Sequence, residues 1–91
     1  MNKDLLDEMK EELFSVLLRL ESADDCKMLL DDLCTPKEIE QMAQRVRAAK
    51  LLLSGKTYSQ VIEQTEISSA TLSRVSRCIQ HGPGGYKKFV K

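Results

Sequence analysis

The chain of 91 residues has no tryptophan and only two tyrosines and two phenylalanines, so any core it forms must be aliphatic. Proline occurs twice, as Pro36 and Pro83, and three of the four glycines crowd into Gly82, Gly84 and Gly85. Most of the chain therefore lacks helix breakers, and the composition favours helices. The cysteines Cys26, Cys34 and Cys78 are odd in number, and no two stand at C-x-x-C spacing. Neither a disulfide framework nor a cysteine-based metal site is expected, and Cys26 and Cys34 read as small core residues. No apolar run approaches the roughly 20 residues of a membrane span. The opening MNKDLLDEMKEE is too acidic for a signal or transit peptide, so a reducing, cytoplasmic location is expected. The sequence offers no carboxylate pair that reads as lining a cleft, no nucleophile beside a base and no metal-ligand set, which argues against an enzyme. The single histidine, His81, has no such partner beside it and reads as a solvated helix-end residue.

Net charge is also missing: 14 Lys and Arg stand against 14 Asp and Glu. Position shows this to be a cancellation. Residues 1–34 carry four cations and ten acids, a balance of −6, whereas residues 35–91 carry ten cations and four acids, a balance of +6. From residue 67 onward there are five cations, Arg74, Arg77, Lys87, Lys88 and Lys91, and no acid. Such asymmetry suits a nucleic-acid partner for the basic part, and equally suits two halves that attract each other.

What the chain does have is helical periodicity. Leu5, Leu6, Met9, Leu13, Phe14, Val16, Leu17 and Leu20 recur at three- and four-residue steps and predict a first helix over 2–21 with a wide apolar face. A lone domain of this size buries only about 60% of its unfolded surface, so a partner chain is a natural cover for that face. Ser22 followed by Ala-Asp-Asp caps a second helix running to Leu33. In Thr35-Pro36-Lys37-Glu38 a hydroxyl, a first-turn proline and an N3 glutamate together open a third helix, which stops at Gly55. Met42, Val46, Ala49 and Leu53 form its stripe. Two short helices follow. One spans about 59–65, capped by Ser59, with Val61 and Ile62 inward. The other spans about 69–80, capped by Ser68 or Ser69, and buries Leu72, Val75 and Ile79.

Two short helices joined by a turn of a few residues have the form of a helix-turn-helix, though an ordinary helical hairpin has the same spacing. The turn lacks a glycine, so Glu66 or a neighbour must accept the bend. The outward face of the second helix carries Ser69, Ala70, Thr71, Ser73, Arg74 and Arg77. Small hydroxylated residues near its N-terminus permit approach to base edges, and the later cations suit phosphates. Gly82-Pro83-Gly84-Gly85 and the basic tail to Lys91 read as a hinge with a short docking segment, and no phosphate-binding loop motif is present.

The residues Cys34-Thr35-Pro36-Lys37-Glu38 through Arg45-Val46-Arg47, then Leu51-Leu52-Leu53-Ser54-Gly55, Tyr58-Ser59-Gln60 and Ser69-Ala70-Thr71-Leu72-Ser73-Arg74 resemble the Trp repressor superfamily. The similarity is greatest to its short YerC/YecD-type members and covers about residues 34–78. It implies an all-α fold with a helix-turn-helix, in which residues 1–34 intertwine with a second copy. On that division residues 1–81 form one domain, with dimerisation helices over 1–34, a central helix over 35–55 and the helix-turn-helix over 58–80.

The function implied is that of a homodimeric, sequence-specific DNA-binding transcriptional repressor acting on a palindromic operator. Ser69, Ala70 and Thr71, with Ser59 and Gln60, would face bases, Lys56, Ser73, Arg74 and Arg77 would face phosphates, and Ser68 belongs to the same DNA-binding set. The competing reading is a dimeric helical protein-interaction module that has lost DNA reading. In the family, L-tryptophan lies between the third helix and the recognition helix. The corresponding effector-pocket positions here are Thr35, Arg45, Arg74 and Cys78. Two departures count against tryptophan: Val75 replaces a small glycine beside the indole, and Cys78 replaces a serine. No cofactor is expected, and the identity of any effector is open.

Overall fold

Six helices and no strand make up the protein in the computed structural model, which describes every residue from Met1 to Lys91. They are α1 (Lys3–Leu17), α2 (Ala23–Leu33), α3 (Pro36–Leu53), α4 (Tyr58–Thr65), α5 (Ser69–His81) and α6 (Gly85–Phe89). The expected all-α class is thus observed. The chain divides into two compact units, Met1–Thr35 and Pro36–Lys91.

In the first unit, the Asn2 side chain caps α1 by accepting from the amides of Asp4 and Leu5 at 2.8 and 3.3 Å. The helix ends at Leu17 rather than near residue 21. Its last turn tightens, with the Arg19 and Leu20 amides donating to the Val16 and Leu17 carbonyls. The sequence then commits to the next helix start. Ser22 Oγ accepts from the Asp25 amide at 3.0 Å, and the Asp25 carboxylate accepts from the Glu21 amide at 3.0 Å. On α2, Lys27 Nζ lies 2.7 Å from Asp31 Oδ2, and this hydrogen bond raises the lysine pKa above its ordinary value. Neither helix contains a buried residue. Cys26 is exposed and Cys34 half-buried, so neither is the core residue that its small size suggests.

The second unit contains the core: Ala48, Ala49, Val61, Ile67, Leu72 and Val75. Against α3 pack α4, α5 and α6. The stripe expected on α3 is corrected here. Ala49 is buried, but Val46 and Leu53 are exposed, and Ala48 takes the second core position. Small side chains let neighbouring backbones approach, and the bulk comes from Val61, Leu72 and Val75 on the partner helices. At the end of α3, Gly55 adopts φ +93°, its amide bonds to the Leu52 carbonyl, and the Lys56 amide bonds to the Leu51 carbonyl. This paired arrangement needs the left-handed conformation that glycine adopts without penalty.

The C-terminal segment is more ordered than a hinge and tail. Residues 85–89 form α6, and Tyr86 and Val90 pack against the core cluster. Gly82 is required by close approach: a Cβ there would sit 2.5 Å from the Cys78 carbonyl oxygen. No helix is long and apolar enough to cross a membrane.

Candidate nucleic-acid interface

The α4-turn-α5 segment is fixed at each joint by side chains from the segment itself. Thr57, not Ser59, caps α4. Its Oγ1 accepts from the Gln60 amide at 3.2 Å, while Gln60 Oε1 accepts from the Thr57 amide at 2.9 Å. The carboxamide oxygen of Gln60 is therefore engaged within the protein. At the far end, Glu66 takes φ +59° and ψ 18°, the left-handed bend that the glycine-free turn demands. Thr65 secures both sides of that bend, donating from Oγ1 to the Val61 carbonyl at 2.7 Å and accepting from the Ile67 amide at 3.2 Å. Gln44 of α3 donates to the Thr65 carbonyl at 3.2 Å, and the buried Ile67 pins the turn into the core.

Ser68 caps α5, accepting from the Thr71 amide at 3.2 Å and donating to Thr71 Oγ1 at 2.8 Å. One face of α5 is consumed by the core through Leu72 and Val75, and Ile79 packs beside it. The opposite face presents Ser69, Ala70, Ser73, Arg74 and Arg77 exposed, with Thr71 half-buried. Lys56 is exposed in the loop after Gly55, and Ser59 and Gln60 are exposed on the first turn of α4. This outward surface combines small hydroxyl groups at a helix N-terminus with cations one and two turns later, a distribution suited to a groove edge and its flanking phosphates.

Beside it, α3 and α5 enclose a cleft of about 330 Å³. Arg45 and Arg74, predicted as an effector pair, both line it, together with Ser68 and Thr71. Thr35 and Cys78, assigned to the same pocket, do not. Cys78 is exposed and borders a separate apolar groove with Pro83, Gly85, Tyr86 and Phe89. Val75, the position beside the indole in the resemblance, is 1% exposed and forms part of the core. The sequence reading missed Lys37, Gln41, Gln44 and Glu66 as cleft residues. The first three could have been found, since residues 37, 41, 44 and 45 recur at helical spacing and share one face of α3.

Residues 8–91 match the family model described as Trp repressor protein. The chain is 40% identical over 77 residues to YerC of Bacillus subtilis strain 168, an uncharacterised protein, with 85% of this chain and 74% of YerC covered. A crystal structure of a candidate Trp repressor from Staphylococcus aureus superposes with a TM-score of 0.87 at 38% identity, covering 89% of this chain and 81% of that one. That of a TrpR-like protein from Eubacterium eligens gives a TM-score of 0.88 at 37% identity, covering 96% and 90%.

Proposed function

The chain belongs to the Trp repressor family, a regulatory DNA-binding family without enzymatic activity, and from that premise we propose that it is a homodimeric, sequence-specific transcriptional repressor that reads DNA through α5. One observation carries the reading: the exposed face of α5 holds Ser69, Ala70, Ser73, Arg74 and Arg77, while its other face is locked into the core. Ser69, Ala70 and Thr71 contact base edges. Arg74, Arg77 and Lys56 contact phosphates, with Ser73 beside them. A recognition helix held this way enters the major groove as a rigid body, braced by α4.

The dimer is supported by what the first unit leaves uncovered. Leu5, Met9, Leu13 and Leu17 follow one another at four-residue steps along α1 and are 38–50% exposed. A stripe of that length in water is a large exposed apolar patch, and a second copy of the chain covers it. Two-fold symmetry then places two α5 helices about one turn of DNA apart, which matches a palindromic operator. L-tryptophan is not the effector in this reading, because a buried valine, Val75, stands where the family has a small glycine beside the indole.

The test is duplex binding followed by mobility shift or fluorescence anisotropy. Arg77→Ala weakens binding to all sequences and lowers the slope of log affinity against log salt by about 1 per lost contact. Thr71→Ala changes which sequences are preferred. Absence of binding to any duplex at low salt would favour a protein-interaction module that kept the fold and lost DNA reading.

A further inference from the structure

The cleft between α3 and α5 brings together positive charge that the protein leaves unmatched. Arg45 and Arg74 reach it from different helices, with Lys37 on the same rim, and Glu66 is the only acid among its lining residues. Lys37 is paired with Glu40 at 3.4 Å, whereas no ion pair holds either guanidinium. Like charges converging on a concave surface repel one another until an anion sits between them. Ile67 is the only apolar side chain among the nine lining residues, so the cleft is chiefly polar. The guanidinium fork matches phosphate oxygens in pairs. Ser68 and Thr71, whose hydroxyls are hydrogen-bonded to each other at 2.8 Å, also line the cleft. Ser68, Thr71 and Arg74 belong at once to this cleft and to the proposed DNA-reading face of α5.

We propose that the cleft seats a backbone phosphate of the bound DNA, so that operator binding requires no small-molecule corepressor and free phosphate-like anions compete with DNA rather than assist it. Arg45 and Arg74 grip the phosphate from opposite sides, with Lys37 and Thr71 at the rim. The DNA footprint thereby extends from the helix-turn-helix onto α3. This inference rests on the reading of α5 as a DNA-recognition helix.

Fluorescence anisotropy on a duplex selected from a random pool provides the test. The full-length wild type binds the selected duplex with no added small molecule. Replacing chloride by inorganic phosphate at matched ionic strength weakens that binding. Arg45→Ala lowers affinity by roughly tenfold, the scale of one charge-assisted hydrogen bond. It also reduces the salt slope by about 0.9 per subunit and abolishes the phosphate-specific competition. Arg45→Lys keeps the slope and loses part of the affinity, because it retains the charge without the fork. Circular dichroism checks that each variant keeps its helix content, and should Arg45→Ala fail to fold, Arg45→Lys and the phosphate competition decide. The proposal is overturned if folded Arg45→Ala binds with wild-type slope and affinity, or if inorganic phosphate strengthens wild-type binding, which would make the cleft a free-anion effector site. If the wild type binds duplex only when a mixture of amino acids is added, this inference falls and the DNA reading of α5 stands; if it binds no duplex under either condition, both fall.

Discussion

Glu66 and Gly82 show how single residues set the geometry on which the interface depends. Glu66 holds the turn of the helix-turn-helix at φ +59°, a conformation that costs an L-residue about 1–2 kcal/mol. Glycine adopts it freely but loses more entropy on folding, so Glu66→Gly should give a net gain of up to about 1 kcal/mol. In a domain of this size that raises the melting temperature by several degrees, roughly 4–8 °C per kcal/mol. Glu66→Val should lower it, since a β-branched residue fits the left-handed region poorly. Gly82 is the converse. Its φ is ordinary, but a Cβ would stand 2.5 Å from the Cys78 carbonyl oxygen, a backbone atom that cannot swing away. Gly82→Ala should therefore destabilise the end of α5, by about 1–3 kcal/mol as overpacking does. Thermal unfolding followed by circular dichroism checks both signs. The demand on Glu66 could be read from the sequence, because a three-residue turn without glycine must place some residue there. The demand on Gly82 could not, because it arises from one carbonyl one turn earlier.

At the scale of elements, the helix-turn-helix and the bounds of α3 were legible, and the buried face of α3 was not. The spacing of Val61, Leu72, Val75 and Ile79 found the inward faces of α4 and α5, because each short helix confines its apolar residues to one face. On α3 the apolar positions wrap most of the way round the helix. Periodicity selected Val46 and Leu53 for the core, yet Ala48 takes that place, because neighbouring helices come close only over small side chains. The five-residue α6 was too short, and too close to glycines, to leave a periodic signal, although Tyr86 and Val90 dock on the core. Capping shifted one functional assignment. The Gln60 carboxamide oxygen closes the capping box of α4, so Gln60→Ala should cost about 1 kcal/mol of stability and leave the preferred DNA sequence unchanged. Thr71→Ala should do the reverse, shifting sequence preference with a smaller effect on stability. Selection of bound duplexes by each variant, paired with its urea midpoint, separates the two roles. If Gln60→Ala alters the selected sequence, its amide reads bases despite the capping bond.

For the whole molecule, the division of charge matches the division of structure. The −6 segment coincides closely with the unit Met1–Thr35, and the +6 segment with the unit Pro36–Lys91. All the buried hydrophobic residues belong to the second unit. The first keeps its helices through caps and local bonds, and its apolar stripe is exposed. Isolated helices of 15 and 11 residues are marginal in water, so their stability has to come from packing beyond their own unit. This separates two consequences of one substitution. Leu13→Glu places a charge in the middle of the α1 stripe, which should prevent a second copy from covering it. Sedimentation should show the wild type as a dimer and this variant as a monomer. The core of the second unit draws on none of α1, so the variant should keep a cooperative unfolding transition and the surface of α5. Its DNA affinity should nevertheless fall by far more than the loss of any single phosphate contact, because one α5 must bind where two were joined. Binding by one helix also halves the number of phosphates neutralised, so the salt slope should drop to about half the wild-type value. A variant that sediments like the wild type would show that the α1 stripe is not the dimer interface, and a monomer with an undiminished slope would show that DNA binding does not depend on pairing.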